Sequence, residues 1–321
     1  YIRGVVEPYA EVIYCSGATI DREVVRDADA LVVRTRTKCC RELLEGSKVQ
    51  FIATATIGRD HIDEAFCREA GIAVASAAGC NARGVLQWVA AALKHIVVND
   101  GKHPEDYTLG VVGVGNVGSL VVEYARHWGF RVLMCDPPRY EREGGDFCTM
   151  EEVARMADII TLHTPLDSTT HHLIDDRMLS LMRPDAVIFN ASRGAVVDNM
   201  AMVKSSHRYA FDVWEGEPQL NDVVLGRAML ATPHIAGYSQ QGKANATTMV
   251  INALSRHFGL PLTEWHPTDV APTTPRLISW EEMCHTIDDY CPILEETRRL
   301  KSSPEKFESL RNGYNYREEY F

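Results

Sequence analysis

Arg193, Glu217 and His234 are the side chains of this sequence best suited to moving a hydride and a proton in one reaction. A guanidinium holds a carboxylate through two parallel hydrogen bonds, which fixes a 2-hydroxy acid with its C2 hydrogen aimed at an acceptor. A neutral imidazole is a fitting base for the hydroxyl proton released as that hydride leaves. A carboxylate bonded to the second ring nitrogen fixes the tautomer and steadies the imidazolium that forms. Each residue stands in its own short motif: Asn190-Ala191-Ser192-Arg193-Gly194, Trp214-Glu215-Gly216-Glu217-Pro218 and Thr232-Pro233-His234-Ile235-Ala236-Gly237-Tyr238. Spacing alone does not choose Glu217 over Glu215. Taken singly, each fits a plain structural role, as a surface ion pair, a solvated loop or a strand-ending turn. Their joint placement downstream of a nucleotide loop is what favours catalysis.

The hydride needs an acceptor, and Gly113-Val114-Gly115-Asn116-Val117-Gly118 offers the place for one. The run lies between a strand-like stretch, 107–112, and a helix-like stretch, 117–128. Gly113 permits the tight turn, Gly115 lets backbone approach a pyrophosphate, and Gly118 lets the helix pack closely on the strand. N–H groups at the helix start face the anion. A second strand-like stretch, 131–135, delivers Asp136, whose carboxylate can accept hydrogen bonds from an adenosine ribose. The cofactor expected is NAD. The 2′-phosphate of NADP would meet the charge of Asp136, and only Arg139 argues for it.

Composition bounds the rest. With 321 residues, 45% apolar and 24% charged, the chain reads as globular and divides into at least two domains. A net charge of -11 and a pI of 5.6 argue against a nucleic-acid partner, which calls for a basic surface. No apolar stretch reads as a membrane span, since 84–98 is broken by Gln87, Lys94 and His95. Nine scattered cysteines with no Cys-x-x-Cys pair suggest neither a disulfide framework nor a zinc site, so no metal is expected and a reducing cytoplasm fits. Adjacent Cys39 and Cys40 read as ordinary thiols. No secretory leader is read. The chain does not begin with methionine and 1–7 look like part of a helix, so residues are expected to precede them.

Strands and helices in alternation must carry these side chains. Strands are expected at 12–14, 30–33, 51–54 and 72–75, with helices at 21–27, 38–44 and 61–70, making a small α/β unit. A longer helix, 84–98, ends at Asn99-Asp100-Gly101. Beyond the glycine loop, Thr149 with Glu152 forms a capping box opening a helix to Ala157, and strands follow at 159–163, 186–190, 209–213 and 229–232. The link 190–209 is short for a full crossover helix, and it reads either as one that still closes or as one with residues absent within 200–210. Such order implies a doubly wound parallel sheet whose ligands bind beyond the strands' carboxyl ends. That rule puts Asp136, Thr164, Arg193, Asp212 and His234 on one rim. The fold class expected is α/β: a Rossmann NAD domain at 83–235, a smaller flavodoxin-like substrate domain from 1–82 and 236–265, and a small α+β C-terminal module at 266–321. A helix at 240–258 leads back to the first unit, and the substrate is expected in a cleft between domains.

These residues resemble the D-2-hydroxyacid dehydrogenase family, over nearly the whole chain. The specific marks are Ala55-Thr56-Ile57-Gly58-Arg59-Asp60-His61-Ile62-Asp63, Gly79-Cys80-Asn81-Ala82, the run 110–118, Cys135-Asp136-Pro137-Pro138-Arg139, Val197-Asp198-Asn199, and the motifs around Glu217 and His234. The Asp-Pro-Pro-Arg segment and Tyr238 point within that family to the branch acting on 4-phospho-D-erythronate. The resemblance implies oxidation of this phosphorylated 2-hydroxy acid to the 2-oxo-3-hydroxy-4-phospho acid, with NAD, in vitamin B6 biosynthesis. It implies catalytic roles for Arg193, Glu217 and His234, cofactor contacts at Asp136, Thr164, Asp212 and Gly237, and substrate contacts at Thr35, Thr56 and Tyr238. It also implies a homodimer joined by the C-terminal module, which is shorter here than expected. Arg59 departs from the uncharged residue of many relatives and is expected to pair with a nearby acid.

The substrate phosphate needs further donors, and Arg34, Arg36 and Lys38 alternate just after a strand, where they read either as an anion-binding face or as a solvated basic edge. Rival readings are a glycerate, lactate or phosphoglycerate dehydrogenase on the same scaffold, and a nicotinamide-sensing corepressor-like binding protein.

Overall fold

Short, largely apolar runs of two to five residues become the strands of two parallel sheets. The computed structural model describes residues 1–17 and 19–321, which fall into two compact units: Tyr1–Asn81 with Gln240–Pro272, and Ala82–Ser239 with Thr273–Phe321.

In the first unit, β1 (Ala30–Val33), β2 (Phe51–Thr54) and β3 (Ala73–Ser76) form a parallel sheet in that order, with Ala30 opposite Phe51 and Phe51 opposite Ala73. Because side chains alternate across a strand, Ile52 joins Val25, Leu31, Val33 and Phe66 in one core, while Phe51 and Ala53 meet Val250 and Leu254 of the helix Gln240–Phe258 in another. Both faces of the sheet are thereby covered, as parallel pairing requires.

Two expectations for the start of the chain fail. Residues 1–7 form turns rather than helix: Gly4 sits at φ 80°, a left-handed conformation that interrupts an α-helix, and Pro8 lacks the N–H that would continue one. Residues 12–14 do not pair as a strand; Ile13 is 70% exposed, so its apolar side chain finds no sheet to cover it. Arg59 does pair with an acid, its Nε lying 3.2 Å from Glu64.

The second unit holds six parallel strands: β4 (Thr108–Val112), β5 (Arg131–Cys135), β6 (Ile159–Leu162), β7 (Val187–Asn190), β8 (Arg208–Phe211) and β9 (Leu230–Ala231). Their order is β5-β4-β6-β7-β8-β9. The chain leaves β4 to one side for β5 and returns to the other for β6, so the switch of direction falls at the carboxyl end of β4, where the glycine loop lies. Leu109, Val111, Ile159 and Phe189 pack on one face against the helices Ala82–Asn99 and Asn116–Trp128. Ile160, Leu162, Ile188 and Phe211 pack on the other with Val153, Met178 and Met202.

The short link between β7 and β8 closes through a tight turn at Gly194–Val196 and a six-residue helix, Asn199–Lys204, helped by a bridge from Val197 to Ile174. The tail is carried by the helices Trp280–Tyr290, Ile293–Ser302 and Phe307–Asn312, and its one strand-like pairing is a bridge from Arg317 to Ser239. It seals the unit's edge: the Ala231 N–H of β9 donates to Thr297 Oγ1 at 3.0 Å.

Candidate active site

The three glycines of the loop have three different local reasons. Gly113 has φ 84°, and a side chain there would press on the His163 carbonyl carbon at 2.7 Å. At Gly118 a Cβ would overlap the Gly113 carbonyl oxygen, so the close seating of the helix on β4 demands glycine. Gly115 differs: a Cβ there would meet nothing within 4 Å. No packing within the described residues calls for glycine at that position, and the space it keeps clear lies where the helix Asn116–Trp128 begins. Gly115 caps that helix with no side-chain hydrogen bond, so no side chain covers the first-turn N–H groups at Asn116, Val117 and Gly118. Beside the loop, Thr164 Oγ1 is buried without a hydrogen-bond partner among the described residues. An open cradle, an uncapped helix start and an orphaned hydroxyl fit a bound dinucleotide.

Asp136 follows β5 and ties this corner together. Its Oδ2 accepts the Val114 N–H at 2.8 Å and its Oδ1 accepts the Arg139 N–H at 3.0 Å, capping the helix Pro137–Glu143. The Arg139 guanidinium donates to the Val114 carbonyl at 2.7 Å and forks onto Glu143, with Nη2 at 2.8 Å and Nε at 3.0 Å from Oε2. The residue that argued for a 2′-phosphate is therefore held by a carboxylate.

Arg193, Glu217 and His234 follow β7, β8 and β9, three neighbours in the sheet. Glu217 Oε1 lies 2.5 Å from His234 Nδ1, and its Oε2 accepts the Trp214 N–H at 3.2 Å. Burial alone would raise the Glu217 carboxyl, but the hydrogen bond and charge of His234, with the Trp214 N–H and the Arg311 guanidinium, outweigh it and hold it below the usual carboxylate range. The structure separates Glu217 from Glu215, which turns away: its Oε1 meets His172 Nε2 at 2.6 Å and its Oε2 accepts the Asn199 N–H at 3.0 Å. Gly194 lets this loop pass close to the turn after β7, because any side chain there would run into the Trp214–Glu215 peptide. Arg193 is half-buried, with Nη1 donating to the Ser192 carbonyl at 2.8 Å, and its own carbonyl accepts from Asn190 Nδ2 at 2.9 Å.

His234 sits at φ 59°, a left-handed conformation costly for a residue with a Cβ. Asp212 holds it there. The His234 N–H donates to the Asp212 carbonyl at 2.7 Å, and the Asp212 carboxylate accepts the Ile235 N–H at 2.8 Å, the Ala236 N–H at 2.9 Å and the Thr232 hydroxyl at 2.5 Å. Burial pushes the Asp212 carboxyl up, against the charge of His234 and these donors. The expected cofactor contact Asp212 is thus a buried brace of the His234 turn, next to Gly237. On the near side Trp88 Nε1 donates to Thr232 Oγ1 at 2.9 Å.

Tyr238 meets a residue that no motif announced. Arg311, from the tail, donates through Nε to the Tyr238 hydroxyl oxygen at 3.1 Å, and its Nη1 lies 4.0 Å from Glu217 Oε1. Tyr238 also stacks on Tyr316, with ring centroids 5.1 Å apart and planes 4° off parallel. His172 likewise escaped the motifs: its ring stacks on His171 at 3.9 Å, and with Glu215 the two imidazoles form a small cluster.

In the first unit, Thr56 Oγ1 lies 2.6 Å from Thr54 Oγ1 and bonds the Gly58 carbonyl, while Thr54 reaches His61 Nε2 at 3.0 Å. Thr35 lines a cavity of about 520 Å³ with Lys38, Asp60, His61 and Asp63. Lys38, and not Arg34 or Arg36, reaches it; residues 34–38 leave the pleat after β1, so the alternation read there does not hold. No ion pair engages these three cations among the described residues.

Comparison with known proteins places these features in context. Residues 83–236 match the family described as D-isomer specific 2-hydroxyacid dehydrogenase, NAD binding domain. A protein of Bacteroides thetaiotaomicron called erythronate-4-phosphate dehydrogenase is 44% identical over an alignment covering 99% of this chain and 94% of that one. One of the same name from Cronobacter sakazakii is 39% identical over 100% of this chain and 90% of its own. Among solved structures, an NAD+-bound 3-phosphoglycerate dehydrogenase from Entamoeba histolytica aligns with a TM-score of 0.65 at 26% identity, over 77% of this chain and 84% of that one. A D-lactate dehydrogenase from Aquifex aeolicus, complexed with NAD and lactic acid, aligns with a TM-score of 0.63 at 25% identity, over 75% and 86%.

Proposed function

Because the chain belongs to the D-isomer specific 2-hydroxyacid dehydrogenase family, we propose that it oxidises 4-phospho-D-erythronate at C2 to 2-oxo-3-hydroxy-4-phosphobutanoate, in pyridoxal phosphate biosynthesis. The observation that carries the chemistry is the contact of Glu217 with His234 Nδ1 on the sheet that bears the glycine loop. NAD, when bound, accepts the C2 hydride. With Nδ1 engaged, His234 Nε2 is left to take the hydroxyl proton as C2 becomes a ketone, and Glu217 steadies the imidazolium. Arg193 grips the substrate carboxylate, which fixes which face of C2 is presented. Thr35, Thr56 and Tyr238 offer hydroxyls to the rest of the molecule. Gly113, Gly115, Asn116, Val117 and Gly118 cradle the pyrophosphate, Asp136 takes the ribose, Thr164 supplies its unused hydroxyl, and Asp212 with Gly237 supports the nicotinamide side through the turn at His234.

The choice of substrate is supported by the shared name of relatives that match the chain along nearly its whole length. No described helix is long and apolar enough to cross a membrane. A cytoplasmic homodimer is part of the proposal, checked by fractionation and by sedimentation of the purified chain. The central test is absorbance at the NADH band when protein and NAD meet 4-phosphoerythronate, with 3-phosphoglycerate and lactate as comparisons. Faster turnover of either comparison acid would replace the substrate.

A further inference from the structure

We propose that Arg311 is a positioning residue that turns the Tyr238 hydroxyl into a hydrogen-bond donor for the substrate. A phenol oxygen carries one hydrogen and can accept from others. Arg311 Nε donates to that oxygen at 3.1 Å, so the phenol hydrogen must point elsewhere. Among the described residues nothing accepts it. Arg317, a second tail arginine, is by contrast buried and committed to carbonyls, donating to Gly84 O at 2.7 Å and Ile235 O at 3.1 Å. Arg311 is tied less completely. Its side chain is 30% exposed, and its other near neighbour is Glu217 Oε1, at 4.0 Å, the oxygen that holds His234.

The orientation of the ring is fixed independently. Tyr238 lies flat against Tyr316, only 4° from parallel, and edge-on to Tyr314 at 6.3 Å. The aromatic stack sets where the phenol oxygen sits, and Arg311 sets which way its hydrogen faces. A donor so held, four residues beyond the proton-accepting imidazole, suits an anionic or hydroxyl oxygen on the part of the substrate away from C1. This role rests on the proposed function, in which Tyr238 touches the substrate. Arg311 does not touch the reacting atoms in it.

The test is a double-mutant cycle in the full-length enzyme with NAD and 4-phosphoerythronate, using Arg311→Met, Tyr238→Phe and the pair. NADH binding, followed by protein fluorescence, reports that each variant is folded. Arg311→Met is expected to raise KM about 10-fold with kcat within about 3-fold, the effect of losing one oriented hydrogen bond to a charged partner. The double variant is expected to be no worse than Tyr238→Phe by more than about 2-fold, since Arg311 acts through the hydroxyl that Phe removes. Arg311→Lys, which keeps one donor near the phenol, should recover part of the loss, and it is read instead if the methionine variant does not fold. An unchanged KM in the arginine variants, or losses that multiply in the pair, overturns the proposal. If the wild-type enzyme leaves 4-phosphoerythronate untouched, it is the substrate reading that fails. The same cycle is then run with whichever 2-hydroxy acid is oxidised, and its outcome decides the role of Arg311 separately.

Discussion

Glu217 and His234 are joined at 2.5 Å between Oε1 and Nδ1, although they lie 17 positions apart in the chain with β9 between them. The contact predetermines which imidazole nitrogen can accept a proton, so both residues should be needed for turnover. His234→Gln is expected to lower kcat by about 10²- to 10⁴-fold, the usual contribution of a general base. An unaffected rate in steady-state NADH production would remove His234 from the mechanism.

The same pair predicts how stability follows pH. The Glu217 carboxyl is held below its ordinary value of 4.5 in the folded chain. A depressed carboxylate stabilises the fold above its unfolded value and loses that contribution as pH falls through the lowered one. Thermal unfolding should therefore show the wild type above Glu217→Gln near neutrality, with the gap closing only in the acid range below that ordinary value. A gap of constant size down to strongly acidic pH would contradict the assignment.

Asp212 makes the left-handed turn at His234 possible, and removing its carboxylate strands two buried N–H groups and a hydroxyl. Asp212→Ala should cost about 2–5 kcal/mol of stability, since each unsatisfied buried donor costs roughly 1–3 kcal/mol. Denaturant unfolding measures this directly. Activity should fall further than stability alone explains, because the imidazole loses its direction; a variant as stable as the wild type, or one whose folded fraction keeps full activity, would contradict the bracing role.

Much of this was legible beforehand, for identifiable reasons. Continuous apolar runs such as Phe51-Ile52-Ala53-Thr54 place strands correctly because burial on both faces needs no alternation. The glycine loop was readable because its pattern fell between a strand and a helix. Residues 12–14 misled because a three-residue apolar run says nothing about whether a neighbouring strand exists to pair with it. Glu215 and Glu217 could not be told apart, being two residues apart in one loop; what divides them is their partners, His172 and Asn199 for the one and His234 for the other, which are long-range contacts. Arg311 was invisible for the same reason. It is 73 residues from Tyr238, in a charged helix where an arginine is ordinarily a solvated one.

The loop glycines should respond to alanine in opposite ways. At Gly118 a Cβ would collide with the Gly113 carbonyl, backbone that cannot swing aside, so Gly118→Ala should lose about 1–3 kcal/mol as overpacked sites do. At Gly115 φ is -84°, outside the left-handed region, and no protein atom lies within 4 Å of the new carbon. Gly115→Ala should leave the melting temperature nearly unchanged while weakening NADH binding at least about 10-fold. Calorimetry of the two variants separates the cases, and equal NADH affinity in Gly115→Ala would mean the open space is not the dinucleotide cradle.

Cofactor choice tests the other side of that cradle. Asp136 puts a negative charge at the end of β5, and Glu143 occupies the guanidinium of Arg139 that would otherwise welcome a 2′-phosphate. The fork is partly exposed, so its own contribution to stability is small. Its effect on selectivity is larger, because a free guanidinium beside the ribose would pair with a phosphate through two hydrogen bonds. NAD should therefore bind at least about 10-fold more tightly than NADP, a difference of roughly 1.4 kcal/mol. Glu143→Gln should narrow that ratio by releasing Arg139, and Asp136→Ser combined with it should narrow it further by removing the repelling charge. Titrations of the wild type and both variants with each nucleotide measure the ratios. Equal affinities in the wild type, or a ratio that ignores both substitutions, would show that neither carboxylate sets the choice.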